Sequence, residues 1–326
     1  MMLNNGIDRT EQLLHVPRRR DYRSLVANRA FSRAPVSTPP QETWSPNFAV
    51  VIPVFDDVIA LGRSLESVRN QRLRAVETTV IDDASTIDMT EMLRELSEDG
   101  VLVMVQHENR GPAAARNLGA RTTTADWLVF LDSDDELLPG ALATFAAAAK
   151  PDCGLVRAKF TLRDHEPDTA REGFLAGTFA ISRRLFEAVG GYDEELRYSE
   201  NSELLTRLTE ALPLLDLRCE IVDQATVAIK DAGRSRNYDD ARMRAAIHLL
   251  AKHPPARTDE RARLEAIAAV NAARTASWGE ARHYAWAATR SQPRITRHYL
   301  RLALVLLGPV ANQYWHRGEP AKAATG

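Results

Sequence analysis

Cysteine is nearly absent: Cys153 and Cys219 are the only two in 326 residues, and they have no metal-ligand spacing. That excludes a disulfide framework and a thiolate zinc site. The eight histidines are scattered without metal spacing, and His248, His253, His283 and His298 read as helix-face residues. Long apolar runs are missing as well. No N-terminal apolar stretch resembles a secretory signal. The longest late run, Leu302–Ala311, is broken by Gly308-Pro309 and is too short to span a bilayer. The expectation is a cytoplasmic protein, at most peripheral on the inner face of a membrane.

Strong net charge is also lacking, but the overall −2 conceals a division. Residues 1–46 carry +3, residues 240–326 carry +8, and the middle carries −13. The tract Arg18-Arg19-Arg20 and the Pro/Ser/Thr run Pro35–Pro40 mark residues 1–46 as a flexible or loosely packed extension. The Arg triplet is read as solvated, and no nucleic-acid partner is expected.

The acidic middle centres on Asp126–Pro139. Trp127–Leu131 reads as a strand buried on both faces, and it stops at Asp132, Asp134 and Asp135. Three carboxylates at one strand end repel one another unless a countercharge is present. A hard divalent cation supplies one, and strand ends are where open α/β sheets bind ligands. A solvated acidic turn is the alternative reading.

Around this stretch the pattern alternates. Phe48–Val54 is a first buried strand, with Pro53 near its end, and Asp56 or Asp57 caps a helix reaching about Asn70. Val76–Ile81 is a second strand, followed by a helix with a stripe of Met89, Met92, Leu93 and Leu96. Val101–Val105 is a third strand, and Gly111-Pro112 opens an Ala-rich helix carrying Arg116 and Asn117. This rhythm predicts an α/β domain with a mostly parallel sheet. Right-handed crossovers then bring Phe55, Asp83 and Asp134 to one rim.

Four segments carry a resemblance: Val-Ile-Pro-Val-Phe-Asp (51–56), Ile-Asp-Asp-Ala-Ser-Thr (81–86), Glu-Asn-Arg-Gly-Pro-Ala-Ala-Ala-Arg-Asn-Leu-Gly (108–119) and Phe-Leu-Asp-Ser-Asp-Asp (130–135). In this order and spacing they resemble family-2 glycosyltransferases, and weaker similarity extends the match over about residues 47–235. The resemblance implies a GT-A fold, Rossmann-like and flanked by helices. It also implies transfer of a sugar, usually with inversion, from a nucleotide-diphospho-sugar donor, UDP being favoured. Pro53 and Phe55 would border the nucleobase, Asp83 would accept from it, and Arg116 would face the nucleotide. Asp132 and Asp134 would form the Asp-x-Asp pair holding Mn²⁺ or Mg²⁺, with Asp134 the more direct contact.

Two departures matter. Where relatives carry a Glu-Asp pair supplying the base, this chain has Glu200-Asn201, so Glu200 is the expected base and Glu203 the second choice. Where many relatives carry Arg-x-His, this chain has Lys230, Asp231 and Arg234, so Lys230 or Arg234 is expected to neutralise the diphosphate. Ile181–Arg184 and Gly190–Asp193 lie where the family builds its acceptor cleft, and Asp193 is read as structural.

The expected domains are the extension at 1–46, the GT-A domain at 47–239 and an α-helical region at 240–326. Four helical stripes are read in that last region, and Ser277–Ala285 resembles part of a tetratricopeptide-like repeat. Internal packing, dimerisation and contact with an anionic membrane are all open to it. The acceptor is open too: glycan, lipid-linked, small molecule or polypeptide. The rival functions are a catalytically impaired nucleotide-sugar-binding protein, because of Asn201, and a peptide-recruiting scaffold.

Overall fold

The computed structural model of the chain describes residues 44–163, 170–230, 239–252 and 258–311. The Arg triplet, the Pro35–Pro40 run, Arg234 and His253 lie outside the described residues. By compactness the chain divides into two units. One is Met1–Glu194 with Asn201–Asp231, and the other is Glu195–Glu200 with Ala232–Gly326.

The first unit is built on an eight-stranded mixed sheet in the order β3-β2-β1-β4-β7-β6-β8-β5. Strand β1 (Phe48–Val54) is buried along its whole length. Its side chains alternate between two cores: Ala49 and Val51 enter one, and Phe48, Val50, Ile52 and Val54 the other. That double burial is why the segment is continuously apolar. Helix α1 (Val58–Arg69) is capped by Asp57, whose side chain accepts from the Ala60 amide at 3.1 Å. It turns Leu61, Leu65 and Val68 onto the sheet.

Strand β2 (Glu77–Asp82) begins one residue later than the apolar pattern suggests, and the excluded Val76 is 61% exposed. Helix α2 (Thr90–Glu98), the edge strand β3 (Leu102–Val105), helix α3 (Pro112–Thr122) and strand β4 (Trp127–Phe130) follow. β1 pairs in parallel with both β2 and β4, and β2 with β3, so the ends of these strands share a rim. The β1–β4 ladder covers only Phe48–Val51 and closes with Leu131 N on Val51 O at 3.0 Å. Pro53 has the same strand parity as Val51, so its missing N–H falls on a side that β4 has already left.

The far half of the sheet runs differently. A two-residue strand β5 (Glu136–Leu137) and helix α4 (Ala141–Ala148) lead to the long strand β6 (Cys153–Leu162). Strand β7 (Phe179–Ser182), helix α5 (Arg183–Val189), helix α6 (Glu200–Ala211) and strand β8 (Arg218–Ile229) complete the unit. β7 is antiparallel to both β4 and β6, and β5 is antiparallel to β8. Phe130, Phe179, Phe186 and Tyr192 fill the core beneath this junction. The fold is therefore α/β with a mixed sheet flanked by helices, the arrangement implied by the resemblance.

The second unit is helical: α7 (Asp239–Lys252), α8 (Thr258–Arg274), α9 (Trp278–Ser291) and α10 (Thr296–Leu306). Its core is largely alanine, with Ala269, Ala272, Ala273, Ala281 and Ala285 around Met243 and Val305. Small side chains let α8 and α9 pack closely across the turn at Ala276, whose φ is +59°. His298, expected on a helix face, is instead buried on α10. No helix among the described residues is long and apolar enough to cross a membrane.

Candidate active site

Strand β1 ends at Val54; the next residue, Phe55, is 45% exposed, whereas Pro53 is buried within the strand. Asp56 follows with φ +54° and ties this end to the loop after β2. Its amide donates to Ser85 Oγ at 2.9 Å, and its carboxylate accepts from Thr86 N at 2.6 Å and from the Thr86 hydroxyl at 2.8 Å. Phe55 is thus an exposed aromatic on a braced turn.

Asp83, at the end of β2, is buried and holds the entry to α3. It accepts from Gln106 Nε2 at 2.8 Å, Arg110 N at 2.8 Å and Gly111 N at 2.7 Å. Gly111 has φ +88°, which a side chain would strain, and Pro112 starts the helix behind it. Asp83 therefore anchors a loop, a duty the sequence did not disclose.

Helix α3 points two functional side chains into the unit. Asn117 Nδ2 donates to Tyr192 O and to Glu194 Oε1, both at 2.9 Å, and its Oδ1 accepts from Tyr192 N at 2.8 Å. Arg116 was expected to face the nucleotide. In the structure it is 2% exposed, its Nη2 lies 2.5 Å from Asp132 Oδ1, and its guanidinium sits 5.3 Å from the centroid of the Tyr192 ring.

The end of β4 gathers the carboxylates, as the sequence suggested. Asp132 is matched by Arg116. Asp134 is held above the usual carboxylate range by its burial and by the charge of Asp132, against the opposing influence of Lys230. Asp135 is pushed up to about 8 by burial and by Asp132, although Lys230 N donates to its Oδ1 at 3.0 Å. Beside them stands Arg163, at the end of β6, which donates to the Asp134 carbonyl and pairs with Glu136 at 3.2 Å. Sequence reasoning missed Arg163, because nothing local ties the end of β6 to the end of β4. The Lys230 side chain is exposed and has no ion pair among the described residues.

Glu203, the second choice for the base, lies on α6. It is fully buried and gripped two-pronged by Arg207, with Nε to Oε1 at 2.7 Å and Nη2 to Oε2 at 2.5 Å. Arg207 Nη1 in turn donates to Val189 O at 2.7 Å and Gly191 O at 2.6 Å. An i,i+4 Glu–Arg pair on a helix was the legible signal for this. Asn201 accepts from the Tyr192 hydroxyl at 2.9 Å. Glu200 is the first residue of α6 and is buried. Arg183, placed by resemblance near an acceptor cleft, staples α3 to β4 through Ala125 O at 2.7 Å, Ala120 O at 2.8 Å and Thr123 Oγ1 at 2.8 Å. Asp193 is buried.

Residues 49–191 match the family model described as glycosyl transferase family 2. An uncharacterized glycosyltransferase of Rickettsia bellii is 39% identical over 87 residues, covering 27% of this chain and 13% of that protein. A GalNAc(5)-diNAcBac-PP-undecaprenol beta-1,3-glucosyltransferase of Campylobacter jejuni is 32% identical over 107 residues, covering 32% of this chain and 35% of the relative. These matches thus span well under two thirds of either relative's length. Among solved structures, S. aureus TarS 1-349 in complex with UDP-GlcNAc aligns with TM-score 0.53 and 16% identity, over 83% of this chain and 89% of that one. The mannosyltransferase PcManGT of Pyrobaculum calidifontis, in complex with GDP-Man and Mn2+, aligns with TM-score 0.51 and 20% identity over 90% of both chains.

Proposed function

We propose that this chain carries out an inverting sugar transfer, on the match of residues 49–191 to the glycosyl transferase family 2 model and on the fold shared with the solved structures above. The donor is a nucleotide-diphospho-sugar, with UDP favoured, and the acceptor is a hydroxyl group. The observation that carries this reading is the shared rim at the ends of β1, β2 and β4. It sets an exposed aromatic, Phe55, on the same rim as a carboxylate cluster in which Asp134 and Asp135 are held above the usual carboxylate range.

The donor set fits a hard divalent cation. Burial and mutual repulsion disfavour the charged forms of Asp134 and Asp135, and Mn²⁺ or Mg²⁺ held by carboxylate oxygens relieves both. Asp134, with Asp132 behind it, is the pair that would hold the ion. When bound, the ion offsets the negative charge that builds on the departing nucleoside diphosphate. Arg116 orients Asp132. Lys230 supplies a mobile ammonium for the phosphates, and Phe55 offers a face for the base.

For the acceptor, Glu200 is proposed as general base on chemical grounds. Asn201 has no carboxylate, and Glu203 is locked by Arg207. The departure at Asn201 supports a second reading, a donor-binding protein without transfer. The deciding experiment measures binding and turnover together. Nucleotide and Mn²⁺ are added to wild type, Asp134→Ala and Glu200→Gln, and thermal shift is followed beside donor hydrolysis or transfer. A metal-dependent shift lost in D134A, with turnover lost but binding kept in E200Q, supports the transferase. Binding without turnover in wild type supports the second reading, and no shift with any nucleotide defeats both.

A further inference from the structure

The helical unit contains a cleft of its own, about 560 Å³, between α7, α8 and α10. That volume is within the range of small-molecule sites. Its lining is heavily cationic: five arginines and a single carboxylate, Asp259. Two of the five are answered internally, since Arg242 and Arg274 share Asp239 at 3.5 and 3.3 Å. The other three, Arg263, Arg297 and Arg301, have no ion pair among the described residues. Between residues 281 and 311 the sequence holds five arginines and no Asp or Glu, so α10 brings no countercharge of its own.

Arg297 and Arg301 stand one helical turn apart, a spacing at which like charges destabilise a helix. Burial and the neighbouring Arg297 hold Arg301 below its usual range. Between them on the same helix lies His298, 5% exposed, whose Nδ1 has no hydrogen-bond partner. Burial and Arg301 push this imidazole down, against the opposing charge of Glu265. Asn271, also 5% exposed, faces the same cleft with its Oδ1 unpartnered, while its Nδ2 is fixed on Ile267 O at 2.8 Å. The two sealed polar atoms, His298 Nδ1 and Asn271 Oδ1, are costly without a ligand, and the half-buried Arg301 with the exposed Arg263 and Arg297 gives the mouth of the same cleft an uncompensated positive charge.

We propose that this cleft binds a phosphate-type oxyanion, with Arg297, Arg301 and Arg263 as its charge partners and His298 and Asn271 as the neutral hydrogen-bonding groups. Guanidinium forks match phosphate oxygens two at a time, and the Asn271 carbonyl suits a phosphate hydroxyl. The source is either a soluble phosphate or the headgroup of an anionic lipid. The second is served by the exposed apolar side chains of the same helix, Leu300 and Leu306, at 61% and 62%.

The test uses the full chain. Inorganic phosphate is titrated calorimetrically at low ionic strength into wild type, R297Q/R301Q and R290Q/R294Q. The last pair removes the same charge from exposed positions outside the cleft. Phosphate should bind wild type and R290Q/R294Q alike and bind R297Q/R301Q at least about tenfold more weakly, with circular dichroism unchanged. Co-sedimentation with phosphatidylglycerol–phosphatidylcholine vesicles against phosphatidylcholine alone then separates the sources. Retention on the anionic vesicles, released by phosphate and lost in R297Q/R301Q, identifies a lipid headgroup. Phosphate binding without retention identifies a soluble ligand. No phosphate binding by wild type, or equal loss in both double variants, overturns the proposal.

Discussion

Arg116 on α3 reaches the carboxylate of Asp132 at the end of β4, 2.5 Å away, from a position that is itself 2% exposed. The pair joins the helix that Asp83 anchors to the strand end that carries the carboxylate cluster. Substitutions at Arg116 and at Asp134 should have different effects. Arg116→Gln leaves Asp132 without its partner beside Asp134 and Asp135. Because the Asp132 side chain is 38% exposed, the loss of stability should fall below about 3–5 kcal/mol, the cost of half-removing a fully buried pair. Chemical denaturation measures it. Asp134→Ala removes a carboxylate that its surroundings already disfavour, so stability without metal should hold or rise while Mn²⁺-dependent nucleotide binding is lost.

The Glu203–Arg207 pair gives a sharper separation of fold from chemistry. Glu203→Ala leaves a buried guanidinium holding two carbonyls, and should cost about 3–5 kcal/mol. Activity per folded molecule, measured below the melting transition, should survive. Glu200→Gln should do the reverse, lowering kcat by about 10²–10⁴ as expected for a lost general base, with the melting temperature nearly unchanged. Equal effects of the two substitutions on kcat would remove the distinction.

Gly119 sits where α3 presses on β1: a Cβ there would lie 2.3 Å from Val51 Cγ1. Gly119→Ala should destabilise the fold by about 1–3 kcal/mol through overpacking. Adding Val51→Ala should recover part of that loss, and non-additivity in the double-variant cycle checks the contact.

Acid sensitivity should have an identifiable contributor at Glu77. Burial opposes its charge, but hydrogen bonds from Thr124 N, Ala125 N and the Thr124 hydroxyl outweigh it and hold the carboxyl below its ordinary value. A depressed carboxyl stabilises the fold above the unfolded-state pKa, about 4.3. That contribution is lost as pH falls through the lower folded value. The melting temperatures of wild type and Glu77→Gln should therefore differ by a constant amount above about pH 5 and converge below it.

The near half of the sheet was legible because each strand is a continuous apolar run that ends in turn chemistry. Asp57 announces α1, and Gly111-Pro112 announces α3. The far half was harder to read. β8 is mostly exposed or half-exposed along Arg218–Ile229, so no apolar run marks its start. The carboxylate cluster was visible as a local pattern. The partners that decide what each acid does were not: Arg116, Arg163 and Arg207 act across tertiary distances or through a helix turn whose burial the sequence does not state. Glu203 looked like a free carboxylate for that reason.

The reversal of strand direction between β4 and β7 also affects how the domain tolerates change. Because β7 runs opposite to β4, the chain enters β7 on the rim where β4 delivers its aspartates, with Gly177 N bonded to Phe130 O at 2.6 Å. The connection leaving β7 lies at the opposite edge. Insertions or exchanges ahead of Phe179 would therefore reshape the surroundings of the carboxylates while leaving the parallel ladder intact. Changes in the turn directly after Ser182 fall at the opposite edge of the sheet, which makes the approach to β7 the natural place to retune what the domain accepts.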